Sequence, residues 1–189
     1  FRSVVSEILE LIEKITPRRI QVRMELHPAS APVFLDSVEF QQVFINLALN
    51  AIDAMPNSGT LTFRTSVHES APVPSPTHLH GKFPRLPCAC LTVEDTGSGI
   101  PERYRHSIFN PFFTTKAMNK GSGLGLYNTV LFCEKHQGAI SVESEENRGT
   151  TFRVWLPQAD FHEDEAERVQ SRIHRRTLLL VDRKSTRLN

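Results

Sequence analysis

The chain has 189 residues, 39% of them hydrophobic and 23% charged, which suits one ordinary globular domain with a sizeable core plus appendages. Twenty-two basic residues against 21 acidic give a net charge of +1, so there is no electrostatic case for nucleic-acid or membrane-surface binding. The three cysteines, Cys88, Cys90 and Cys133, form neither a disulfide framework nor a CxxC metal pair, and a reducing, cytoplasmic compartment is the natural reading. No apolar run has the length needed to span a bilayer. The start FRSVVSEIL, without a signal peptide or an initiator Met, reads as a piece of a longer protein.

Residues 4 to 15 read as a helix with Val4, Val5, Ile8, Leu9, Leu11, Ile12 and Ile15 on one side, stopped by Pro17. Ile20, Val22, Met24 and Leu26 then alternate with polar residues as in a half-buried strand. After a loop containing Pro28 and Pro32, Glu39 to Met55 reads as an amphipathic helix. Asp36 is its N-cap, and Glu39, three residues on, completes a capping box. Phe40, Val43, Phe44, Leu47, Ala51 and Met55 make its apolar stripe. Asn46, Asn50 and Asp53, at i, i+4 and i+7, share one narrow face, which by periodicity alone favours solvent over a ligand.

A turn at Pro56–Gly59 leads to a strand over 60–67. Residues 68 to 87, with Pro72, Pro74, Pro76, Pro84 and Pro87, read as an extended, mobile excursion. His78 and His80 lie in it without a Cys or carboxylate partner at ligand spacing, so it is not read as a metal site. The next strand, 89–94, is read as placing Cys88 and Cys90 on opposite sides, and runs into Asp95-Thr-Gly-Ser-Gly-Ile-Pro101. A short helix over 102–108 precedes Phe109-Asn-Pro-Phe-Phe-Thr-Thr-Lys116 and Gly121-Ser-Gly-Leu-Gly-Leu126. A helix over 127–135 and a hairpin of strands 139–144 and 150–156 about Asn147–Gly149 follow. Residues 160 to 176 form a charged helix or linker, and Thr177 to Val181 has a buried-strand pattern.

Two glycine-rich segments need a physical reason, because clustered glycines mark sharp turns or close approach of backbone to a ligand. Gly121, Gly123 and Gly125 precede a helix, where exposed N–H groups can hold an anion; a flexible hinge explains them equally well. The pattern GxxxxGK[ST] is absent, and Leu126 stands where GxGxxG would need its third glycine. In Asp95-x-Gly97-x-Gly99 an acid ends a strand, where its carboxylate can accept from an exocyclic amine or simply stabilise a tight turn.

Taken in order, the Asn46/Asn50 helix, DTGSGIP, FNPFFTTK, GSGLGL and Gly149-Thr150 resemble the ATP-binding domain of sensor histidine kinases. This is the GHKL superfamily, with type II topoisomerases, MutL-type repair proteins and heat-shock chaperones; the match covers residues 1 to 157. The resemblance implies an α/β (α+β) two-layer sandwich of Bergerat type, a mixed β-sheet packed against three helices. It implies ATP and Mg²⁺ as cofactors, with Asn50 as the magnesium ligand and Asn46 as its companion near the metal and phosphates. Asp53 completes the polar face. Asp95 accepts from the adenine amino group, Gly97, Gly99 and Ile100 lie by the base, and Thr150 joins Asp95 there. Lys116 and the loop Gly121, Ser122, Gly123, Leu124 and Gly125 contact phosphate, while Phe109, Phe112 and Phe113 anchor a compact lid or simply pack in the core.

In this family the acceptor histidine lies on a preceding dimerisation hairpin, and none of the eight histidines has that context. The chain itself therefore carries no catalytic acceptor. Its expected partners are the histidine-containing dimerisation domain of a homodimeric parent and a response-regulator receiver domain, with the parent itself either soluble or membrane-anchored. Residues 1–16 correspond to the connection out of the hairpin, 17–157 to the ATP-binding domain, 158–176 to a linker and 177–189 to a truncated receiver start or a plain tail. Two alternatives stand beside histidine phosphorylation. One is an ATPase that hydrolyses, although such members of the superfamily have Glu where this chain has Asn46. The other is a non-catalytic nucleotide-binding regulator.

Overall fold

The strand β4 (Cys88–Asp95) is buried along nearly its whole length, which is the mark of a strand covered on both faces. In the computed structural model, which describes residues 2–27, 32–70, 72, 78–116 and 121–159, it is central to a six-stranded sheet. The other strands are β1 (Ile20–Glu25), β2 (Gly59–His68), β3 (Leu79–Gly81), β5 (Ala139–Glu145) and β6 (Gly149–Pro157), in the order β1-β2-β4-β6-β5-β3. Only β1 and β2 pair in parallel; the remaining pairs are antiparallel, so the sheet is mixed as expected.

The helices α1 (Arg2–Ile15), α2 (Ser37–Ala54), α3 (Glu102–Arg105) and α4 (Gly125–Lys135) complete the fold. The main core joins Phe40, Phe44 and Leu47 of α2 to Val5, Leu9 and Ile12 of α1, Phe132 of α4, and Leu61, Phe63, Leu91 and Val154 of the sheet. Phe44 stacks on Phe63 with ring centroids 4.8 Å apart, and Phe40 meets Phe132 at 6.0 Å. A smaller cluster of Cys88, Cys90, Ala139 and Trp155, covered by Leu79 and Phe83, closes the other side of the sheet. Residues 1–158 form one compact unit; the charged segment and the strand pattern expected beyond it lie outside the described residues.

Several expectations need correction. Asp36 caps α2 by accepting from the Val38 and Glu39 amides at 2.8 and 3.1 Å. Glu39 does not complete a capping box: its carboxylate takes Lys135 Nζ at 2.6 and 2.8 Å, a charged partner brought from α4. On α1, Leu11 and Ile15 are exposed although Val5, Ile8, Leu9 and Ile12 are buried, because the stripe in contact with α2 is narrower than the apolar pattern. Cys88 and Cys90 share one face, as residues two apart on a strand must. The helix after Pro101 spans only Glu102–Arg105, and residues 106–108 continue it as turns. Within the excursion, β3 pairs with β5, matching Leu79 to Ser141 and Gly81 to Ala139. A three-residue edge strand has too little periodicity to announce itself.

Candidate functional site

The exposed side of α2, the loop after β4, and the segments that end at Lys116 and begin at Gly121 enclose a cleft of about 530 Å³. That volume lies within the usual range for small-molecule sites. Leu49, Ile108, Leu126 and Phe152 give it apolar walls, and two dissimilar polar ends give it direction.

One end accepts hydrogen bonds. Asp95 closes β4 with 5% of its surface exposed, and Oδ1 receives the Gly97 amide at 2.8 Å. Burial pushes its carboxyl up to about 6, against the lowering effect of the Gly97 and Thr150 amides. At neutral pH it is largely an anionic acceptor. Register places Asp95 opposite Thr150, and Thr150 in turn opposite Ser144, so three polar side chains cross three adjacent strands. The glycine loop is clamped between backbones: the Ser98 amide donates to Ala54 O at 3.0 Å, and Ser98 O accepts from the Asn147 amide at 2.7 Å. At Gly99, φ is +67°, and a Cβ would come within 2.1 Å of Glu145 O, so no side chain fits.

The other end carries charge. Lys116 Nζ donates to Asp53 Oδ2 at 2.6 Å and to Asn50 Oδ1 at 3.1 Å. Two oxygens one helical turn apart therefore converge on a single positive centre. Hard oxygen donors in small number suit Mg²⁺, which keeps most of its other positions for water and phosphate oxygens. No group of three or more His, Cys, Asp or Glu residues able to hold a metal occurs among the described residues. Asn46 stands apart from this trio: its Oδ1 accepts from Gln42 Nε2 at 3.2 Å and its Nδ2 donates to Gly125 O at 3.4 Å. A side-chain amide has no basic site at neutral pH, so Asn46 can coordinate or orient but cannot take a proton from water.

Gly121, Ser122, Gly123 and Gly125 line the same cleft. Gly123 has φ +69°, and a Cβ there would lie 2.4 Å from the Phe112 carbonyl carbon. Helix α4 opens at Gly125, and Leu124 before it offers no side-chain cap, so its first amides are left for other acceptors.

Most residues singled out from sequence therefore line one cleft: Asn46, Asn50, Asp53, Asp95, Gly99, Ile100, Lys116, Gly121, Ser122, Gly123, Gly125 and Thr150. Gly97 and Leu124 lie outside the lining, Gly97 because its Cα packs on the end of α2, where a Cβ would meet Ala54 O at 2.6 Å. Of the three aromatics, Phe109 is buried and Phe113 packs beside Tyr104 at 5.7 Å, whereas Phe112 is 73% exposed with φ +64°. Sequence reasoning missed Tyr104, Phe152 and Ser144. The two aromatics carry the signal of any core residue, and Ser144 is marked only by its position across from Thr150.

Residues 35–160 match the family model described as histidine kinase-, DNA gyrase B-, and HSP90-like ATPase. Sensor kinase CckA of Brucella abortus (strain 2308) is 37% identical over 156 residues, covering 82% of this chain and 16% of that protein. Sporulation kinase A of Bacillus subtilis (strain 168) is 34% identical over 158 residues, covering 83% of this chain and 23% of that protein. The chain thus spans less than a quarter of the length of these relatives. The solved catalytic domain of histidine kinase ThkA, nucleotide-free, superposes with a TM-score of 0.66 at 29% identity, covering 84% of this chain and 95% of that one. With the six-stranded mixed sheet, the glycine-bounded cleft and these likenesses together, the chain belongs to the histidine kinase-, DNA gyrase B-, and HSP90-like ATPase family, and within it to the catalytic domains of sensor histidine kinases.

Proposed function

We propose that the cleft binds Mg²⁺-ATP and that the chain delivers the γ-phosphoryl group to a histidine on a dimerisation domain of its parent kinase. The observation that carries this reading is the polarity of the cleft. A buried acceptor pair, Asp95 and Thr150, stands at one end, and Asn50, Asp53 and Lys116 gather around a positive centre at the other. That arrangement suits a ligand with an amino-bearing base and a polyanionic tail.

Asp95 accepts from the adenine amino group, with Thr150, Gly97, Gly99 and Ile100 around the base. Asn50 and Asn46 hold the metal through amide oxygens, and Asp53 supports it. Bound there, Mg²⁺ would supply neutralisation of charge on the transferring phosphoryl group. Lys116 and the amides from Gly121 through Ser122, Gly123 and Leu124 to Gly125 hold the phosphates and orient them. The attacking imidazole comes from outside, and a response-regulator receiver takes the phosphoryl group next. The pattern TLLLVDR at 177–183 points to a hybrid parent carrying such a receiver.

The test is transfer of ³²P from ATP to an added dimerisation hairpin of the parent kinase, assayed as an acid-labile, base-stable product. Transfer that is lost in Asn50→Ala supports the proposal. Steady ATP hydrolysis without acceptor would point to an ATPase instead, and nucleotide binding without either reaction to a regulatory module.

A further inference from the structure

Ser144 does not line the cleft, yet its hydroxyl is bound on three sides. It accepts from the Ile100 amide at 2.7 Å, lies 3.0 Å from Gly149 O, and lies 3.0 Å from Thr150 Oγ1. A serine hydroxyl has one proton. The Ile100 N–H can only donate and the Gly149 carbonyl can only accept. If Ser144 gives its proton to Gly149 O, the Ser144–Thr150 bond must use the proton of Thr150. Thr150 then turns only lone pairs toward the cleft, beside the Asp95 carboxylate that is its register partner on β4. If Ser144 were absent, the Thr150 proton would be free to point into the cleft as a donor.

We propose that Ser144 is a positioning residue that fixes the Thr150 hydroxyl as a hydrogen-bond acceptor, and so makes the base end of the cleft selective for 6-amino over 6-oxo purines. This rests on the nucleotide reading above. A 6-amino group, alone or through a water, donates toward two adjacent acceptors; a 6-oxo group presents a lone pair to them and is repelled. The same hydroxyl anchors the Ile100 amide, which ties the glycine loop to the β5–β6 hairpin. A purely structural role for Ser144 would therefore weaken all nucleotides alike, whereas the polarity role changes their ratio.

The experiment is calorimetric titration of the 189-residue protein with β,γ-imido-ATP and with β,γ-imido-ITP, both with Mg²⁺. The variants are Ser144→Ala, Ser144→Thr, Thr150→Val and the Ser144→Ala/Thr150→Val double substitution. The preference for the 6-amino ligand should fall about three- to ten-fold in Ser144→Ala, the worth of one hydrogen bond. It should be retained in Ser144→Thr, and removal of Ser144 should have no further effect on it once Thr150 is Val. Equal loss of affinity for both ligands in Ser144→Ala, or independent effects of the two substitutions, overturns the role of Ser144 while leaving nucleotide binding intact. If Ser144→Ala does not fold, the Ser144→Thr ratio decides, and loss of preference there overturns the proposal. Failure of the unsubstituted protein to bind either ligand overturns the nucleotide reading and this inference with it.

Discussion

Lys116 and Asp53, 63 positions apart, form an ion pair of 2.6 Å, and the same lysine donates to Asn50 Oδ1 at 3.1 Å. The pair spans the mouth of the cleft from helix α2 to the segment after Phe113. A cation delivered by the chain itself balances Asp53; in the proposed complex Asn50 would hold Mg²⁺, Asp53 would support it and Lys116 would contact the phosphates.

Replacing Lys116 with Met should accordingly separate stability from binding. The pair is one-third to one-half exposed, so its loss should change urea-unfolding stability by under about 1 kcal/mol. Affinity for Mg²⁺-β,γ-imido-ATP should fall about ten-fold or more, as expected on losing a hydrogen bond to a charged group. Unchanged calorimetric affinity would remove Lys116 from the site.

Asp95 should give both stability and binding a pH dependence. Its folded pKa, raised by burial to about 6, lies above the ordinary carboxyl value of 3.8. Between those values the folded protein holds a proton that the unfolded chain has released. Stability from this group is thus fully present below the unfolded pKa and is lost as pH rises through about 6, by on the order of 2–3 kcal/mol. Urea unfolding of the ligand-free protein from pH 4 to 7, compared with Asp95→Asn, measures it. Nucleotide affinity should move the other way, falling below pH 6 as the acceptor is protonated, and Asp95→Asn should abolish that trend.

Gly99→Ala should be strongly destabilising, by about 2 kcal/mol or more, because the residue combines φ +67° with a Cβ position 2.1 Å from Glu145 O. The denaturant midpoint should drop with an unchanged slope. A midpoint equal to that of the parent would mean that the loop and hairpin separate at little cost.

Phe109 and Phe112, after the short helix, should behave unequally. Phe109→Ala opens a cavity in the core and should cost about 3–5 kcal/mol. Phe112→Ala removes a side chain that is 73% exposed and should change stability by under about 0.5 kcal/mol. Equal losses from thermal or urea unfolding would contradict their different burial.

Much of the site was legible because its chemistry sits at short spacing. Asn46, Asn50 and Asp53 share a helix face by helical geometry alone, and the Asp36 cap needs only amides two and three residues away. Gly99 and Gly123 advertise conformations that other residues adopt poorly. Glu39 shows where such reading stops: local spacing allowed it a capping role, but Lys135, 96 residues away, holds its carboxylate instead. A flexible glutamate answers to whichever partner the fold brings near.

By itself, then, the amino-acid sequence determined the helix with its polar face, the strands that alternate clearly, and the order of motifs that places the chain in its family. These depend on covalent spacing and local conformational preference. Only the tertiary structure decided that β3 joins the sheet edge at β5, that Lys116 meets Asn50 and Asp53, and that Ser144, Thr150 and Asp95 line up across three strands. Each of those contacts depends on sheet register or on segments distant in the chain, and local spacing encodes neither.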